Sequence, residues 1–153
     1  MSSGSPAQQW ARSIGKYAPE IGTLARAAIA LIRRQLPGAV ELVYDNYNAL
    51  VIGFGPSERA SEAIVSIALY PRCVNLFFLQ GAKLSDPEGL LQGNGKQVRR
   101  IGLHDAAVLE TTAVRTLVAQ ALKGSHKEWP RNRRRRMVIR AVAAKQRPRR
   151  PGV

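Results

Sequence analysis

Two short stretches hold the residue types from which a site could be built. The first, Tyr44-Asp45-Asn46-Tyr47-Asn48, is the densest polar-aromatic run in the chain. Two tyrosines beside three amide or carboxylate groups suit a small-ligand pocket next to a sheet. Tyr44, Asp45, Tyr47 and Asn48 are therefore the candidate ligand-binding residues, although Asp and Asn are also ordinary turn formers. The second stretch is Gly89-Leu-Leu-Gln-Gly93-Asn-Gly95-Lys96. A phosphate loop needs Gly, four residues, then Gly-Lys and a hydroxyl. Gly89 lies one residue too far from Gly95, and Gln97 offers no hydroxyl for magnesium. A looser anion site remains, with backbone amides at Gly93 and Gly95 assisted by Lys96 and Arg100; its alternative is a solvated turn before a strand.

No residue pattern points to catalysis. His104 beside Asp105 could orient an imidazole for general-base work, but no nucleophile motif lies near it in sequence. Cys73, in an apolar run, reads as a small core residue rather than a nucleophile. Cys73, His104 and His126 lack metal-ligand spacing, and Glu41 with Asp45 alone make a thin case for a hard cation. The expectation is a non-enzyme with no catalytic residues, no metal residues and no cofactor.

Charge gives the strongest physical signal. The 153 residues carry a formal net charge of +14. Residues 1–122 hold 12 basic and 9 acidic groups, whereas residues 123–153 hold 12 basic groups against Glu128 alone. Such a segment attracts polyanions by releasing their counterions. The candidate nucleic-acid-binding residues are Arg133, Arg134, Arg135, Arg136, Lys145, Arg147, Arg149 and Arg150. Trp129 is the sole aromatic there, so stacking on single strands would be weak. The alternative is a solubilising or partner-docking end.

The elements that must position these groups follow from periodicity. Ile21, Leu24, Ala28, Leu31 and Ile32 share one helical face over residues 20–36, and Pro37-Gly38 ends that helix. A shorter helix around Trp10 and Ile14 would precede it. Val40, Leu42 and Tyr44 alternate as in a half-buried strand. Further apolar runs follow at 47–54, 63–70, 72–80 and 98–103, with spacings short enough for antiparallel neighbours in a meander. Helical spacing returns over 111–122. Residues 137–143 favour a last strand, with a helix through Ala141, Ala143 and Ala144 as the alternative. The fold class expected is α+β: an antiparallel sheet of about five or six strands with helices packed on one face. The expected divisions are an N-terminal arm (1–17), one domain (18–143) and a basic disordered tail (144–153). The longest apolar stretch, 27–32, falls far short of the about 20 residues that span a bilayer. No signal peptide is apparent, so a cytoplasmic protein without a membrane partner is expected.

Several stretches resemble a large bacterial family of YdhG-like domains of unknown function, described as frataxin-like. They are Glu41-Leu-Val-Tyr-Asp-Asn-Tyr-Asn-Ala-Leu50, Ser66-Ile-Ala-Leu-Tyr-Pro71, Asn75-Leu-Phe-Phe-Leu-Gln-Gly81, the run from Asp86 to Ile101, and the basic ending Val138-Ile-Arg-Ala-Val142 with Ala144 to Pro151. The resemblance spans roughly residues 20–151 and implies an α+β fold with helices on one antiparallel sheet. It implies no general enzymatic activity. One branch is described as an iron chaperone, whose metal binding relies on an acidic ridge. Here the corresponding helix offers Glu20 alone, beside Arg26, Arg33 and Arg34, so iron delivery is not carried over. The functional expectation is a non-catalytic small-ligand-binding or chaperone-like module whose partner, protein or small molecule, the sequence does not identify. Its competitor is sequence-tolerant nucleic-acid binding through the Arg-rich C-terminal segment.

Overall fold

The computed structural model describes residues 4–125 and 127–152. His126 lies outside the described residues.

Helix α1 (Pro6–Ile14) begins with a capping box: Gln8 N–H donates to Ser5 Oγ, and the Ser5 N–H donates to the Gln8 side chain. Two of the otherwise orphaned first-turn donors are thereby satisfied. Its Trp10 and Ile14, with Tyr17 just beyond, belong to the main core. The division at residue 17 therefore does not separate an arm from the domain: α1 is part of the body. Helix α2 (Pro19–Gln35) buries Ile21, Ala25, Ala28, Ile29 and Ile32. Of the expected face Ile21, Ala28 and Ile32 are buried, whereas Leu24 and Leu31 are half-buried at its edge and Ala25 and Ile29 point inward instead. Gly38 then adopts φ +78°, and a Cβ there would collide with the Pro130 carbonyl. Glycine is needed at this corner both for its backbone freedom and for the close approach of the later chain.

Strands β1 (Val40–Asp45), β2 (Leu50–Gly55), β3 (Val65–Leu69), β4 (Val74–Phe78) and β5 (Arg99–Leu103) form the expected antiparallel meander. The second strand starts at Leu50 rather than near Tyr47, because Asn46–Ala49 closes a turn with Asn46 N–H donating to the Ala49 carbonyl. Helix α3 (Thr112–Lys123) follows, capped by the Thr111 hydroxyl. The final strand β6 (Arg136–Val142) lies beside β1, giving the order β5-β4-β3-β2-β1-β6. It runs parallel to β1 with a register shift between Val43 and Tyr44, so the sheet is a meander with one parallel edge. The long path from β5 through α3 allows that direction, which a short hairpin could not.

Aligned residues Val43, Ile52, Ile67, Leu76 and Ile101 lie across one face of the sheet. All five join the buried residues of α1, α2 and α3 in a single hydrophobic cluster. Trp129 closes that cluster from the C-terminal side and donates its indole N–H to the Pro37 carbonyl at 3.0 Å. Cys73 is exposed, not a core residue: it sits in the turn after Tyr70-Pro71, where Tyr70 N–H donates to its carbonyl.

Candidate anion-binding face

Alternation on β1 sends its polar residues in different directions. Glu41, Val43 and Asp45 share the core-side parity, whereas Tyr44 points to the opposite face. The four candidate ligand residues consequently do not converge. Tyr44 holds a buried hydroxyl with no hydrogen-bond partner among the described residues. Tyr47 and Asn48 are exposed in the β1–β2 turn. Asp45 is only 3% exposed and fully engaged. It accepts from Ser13 Oγ at 2.8 Å and from Arg149 Nη2 at 2.8 Å.

Arg149 is the key to the C-terminal segment. Its guanidinium also donates to the carbonyls of Asn46 and Tyr47, and lies 5.7 Å from the Tyr17 ring centroid. Tyr17 in turn donates to the Leu69 carbonyl and accepts from Leu50 N–H, tying together the ends of β2 and β3. Burial raises the Tyr17 pKa, while the Arg149 charge and the Leu50 N–H work against that rise. Around Arg149, Arg147 N–H donates to the Tyr47 carbonyl, Gln146 Nε2 to the Asp45 carbonyl and Arg150 Nε to the Lys16 carbonyl. Residues 145–152 therefore strap across the β1–β2 turn, which corrects the expectation of a disordered tail. A buried carboxylate leaves a charge that must be paired, and the tail supplies the partner.

Glu41, also fully buried, receives a bidentate pair from Arg33 at 2.8 and 2.9 Å, with Arg135 at 3.7 Å. The two acids of β1 thus organise arginines. Among the described residues, no three His, Cys, Asp or Glu side chains form a metal-holding group.

The strap leaves other cations outward. Arg147 and Arg150 meet Arg72 from the β3–β4 turn around a cleft of about 520 Å³, which Asn48 and Tyr70 also line. None of the three arginines has a carboxylate partner among the described residues. Burial raises the Tyr70 pKa and Cys73 adds to the rise, whereas the Arg100 charge opposes it. Of the remaining candidate cations, Arg136 pairs with Glu58 at 2.9 Å, and Arg133, Arg134 and Lys145 are exposed. Arg149 is buried, so it is not available to an external phosphate.

The glycine turn is built differently from an anion cup. Gln92 and Arg100 exchange backbone hydrogen bonds, extending the β5 edge, and Gly93 takes φ +122°. Arg99 donates to the Gly95 and Val98 carbonyls, so these acceptors are gathered around a resident guanidinium. Lys96 is exposed, and Arg100 lies on the opposite face of β5 from Arg99. His104 is exposed, while Asp105 accepts from Ala107 N–H and caps the 3-10 turn that follows.

Arg72 is the residue that sequence reasoning missed. It stands alone in its turn, and only the folding of the tail onto that end of the sheet gives it company. No protein-family model, curated protein or solved structure matches this chain. No helix among the described residues is long and apolar enough to cross a membrane.

Proposed function

We propose that this protein is a non-catalytic binding module for polyanions, with the phosphate backbone of nucleic acid as its ligand. The observation that carries the reading is the convergence of Arg72, Arg147 and Arg150 on one cleft with no carboxylate partner among the described residues. Three like charges held together repel one another, and a phosphate diester relieves that repulsion while accepting charge-assisted hydrogen bonds. The exposed Arg131, Arg133, Arg134, Arg140 and Lys145 extend the positive field beyond the cleft. Phosphate contacts position a nucleic acid without reading its sequence, so recognition is sequence-tolerant. The YdhG-like resemblance supplies no activity that competes with this reading. A cytoplasmic setting suits it and keeps the exposed Cys73 thiol reduced.

The test is a salt titration of binding to duplex and single-stranded DNA and RNA. Log affinity falls linearly with log salt, and the Arg72→Ala/Arg147→Ala/Arg150→Ala variant flattens the duplex slope by about 2.7 if all three contacts are lost. Different duplex sequences give similar affinities. An unchanged slope in the triple variant removes the cleft from the reading, and strong preference for one sequence overturns sequence tolerance.

A further inference from the structure

We infer that the cavity at the C-terminal end of α3 binds an amphipathic carboxylate, an acyl chain of medium length with a single anionic head. The cavity measures about 620 Å³, within the range of roughly 300–1,000 Å³ usual for small-molecule sites. Ile64, Phe78, Leu84 and Ala121 give it apolar walls, while Lys83 and Lys123 stand at its margin. A site with an apolar interior and a cationic margin fits a ligand with an apolar body and an anionic end.

The walls are fixed rather than incidental. The Gln120 side chain accepts from Ser85 N–H at 2.9 Å and donates to the Ser85 carbonyl at 3.0 Å. This clasp ties the loop carrying Lys83 and Leu84 to α3 across 35 residues of sequence. Gly124 caps the helix four residues after Gln120 and lines the cavity together with Ser125. The charges select one anionic group over several. Lys127 is turned to Glu62 at 3.9 Å, whereas Lys83 and Lys123 have no acidic partner among the described residues. Glu62, which also lines the cavity, and Lys127 offset one another, so the unpaired charge of the lining is that of Lys83 and Lys123, which suits a single carboxylate better than a multiply charged phosphate chain. No residue is shared with the Arg72 cleft, so the inference stands independently of nucleic-acid binding.

Titration of the ¹⁵N-labelled full chain with sodium decanoate, and separately with 1-decanol, tests the site by amide chemical shifts. Decanoate is expected to shift amides around Ile64, Leu84 and Ala121, with the same pattern in the Arg72→Ala/Arg147→Ala/Arg150→Ala variant. Lys83→Gln/Lys123→Gln, at exposed positions that leave the fold intact, weakens decanoate by about tenfold through loss of two exposed ion pairs. Decanol binding stays unchanged in that variant. Ala121→Trp, verified as folded by its amide spectrum, fills the cavity and abolishes binding of both probes. Shifts scattered over the surface, equal affinity for decanoate and decanol in the wild type, or indifference to the lysine pair each overturn the inference.

Discussion

Arg149→Ala is the perturbation that interrogates the strap most directly. Both side chains of the Arg149–Asp45 pair are only 4% exposed. Truncation leaves the Asp45 carboxylate buried, with the Ser13 hydroxyl as its remaining side-chain partner. Removing one member of a buried ion pair costs about 3–5 kcal/mol, chiefly because the surviving charge is stranded. The Tyr17 contact, near the outer limit for a cation over a ring, adds about 0.5 kcal/mol. The expected loss of about 4 kcal/mol is a large share of the roughly 5–15 kcal/mol that holds a domain folded. With a urea slope of about 2 kcal/mol/M, the unfolding midpoint falls by about 2 M. A chain ending at Ala144 loses the same pair together with the backbone bond from Arg147 to Tyr47, and is at least as destabilised. The measurement is urea unfolding followed by tryptophan fluorescence, with Arg147→Ala as the exposed-cation control, expected within about 0.5 kcal/mol of wild type. Asp45→Asn in an Arg149→Met background separates pairing from simple packing. Replacing both charges restores part of the loss, because no isolated ion remains. A midpoint drop below about 0.5 M for Arg149→Ala at unchanged slope would refute the reasoning, and would return residues 145–152 to a dispensable end.

Tyr44→Phe removes a buried hydroxyl that has no partner among the described residues, so its stability is expected unchanged or raised by up to about 1 kcal/mol. A loss above about 1 kcal/mol in the same unfolding assay shows that the hydroxyl is satisfied. Burial raises the pKa values of Tyr17 and Tyr70, so the native state holds these phenolic protons more tightly than the unfolded chain. Their contribution to stability is complete below about pH 10 and declines as pH rises through the folded-state values. Tyrosinate absorbance against pH, read as the difference from Tyr17→Phe and from Tyr70→Phe, should show both of these groups ionising late, and Arg149→Met should delay Tyr17 further. Ionisation of Tyr17 and Tyr70 at the free-tyrosine value would contradict this.

The local elements were legible because hydrophobic spacing reports which side of an element faces inward. That is why α2, α3 and the five-strand meander fall where the periods of Ile21–Ile32, Val114–Val118 and the apolar runs put them. Periodicity does not say which element lies opposite, nor whether a polar residue is bound or free. Asp45 and Arg149 are 104 residues apart. In sequence the first resembles a turn former and the second one more solvated cation in a basic tail. Only the return of β6 alongside β1 brings the tail within reach of that buried carboxylate, which then selects Arg149 and leaves Arg147 and Arg150 outward. The same folding gives Arg72 two cationic neighbours, and it exposes Cys73 in a turn that an apolar run had concealed. By itself the sequence determined the main helices and strands and the excess of positive charge, but not every inward face: on β1 the parity of Glu41, Val43 and Asp45 turns to the core, and that of Val40, Leu42 and Tyr44 away from it. The tertiary structure decided which charges are consumed internally, because Coulomb energy and desolvation depend on distances between residues remote in the chain.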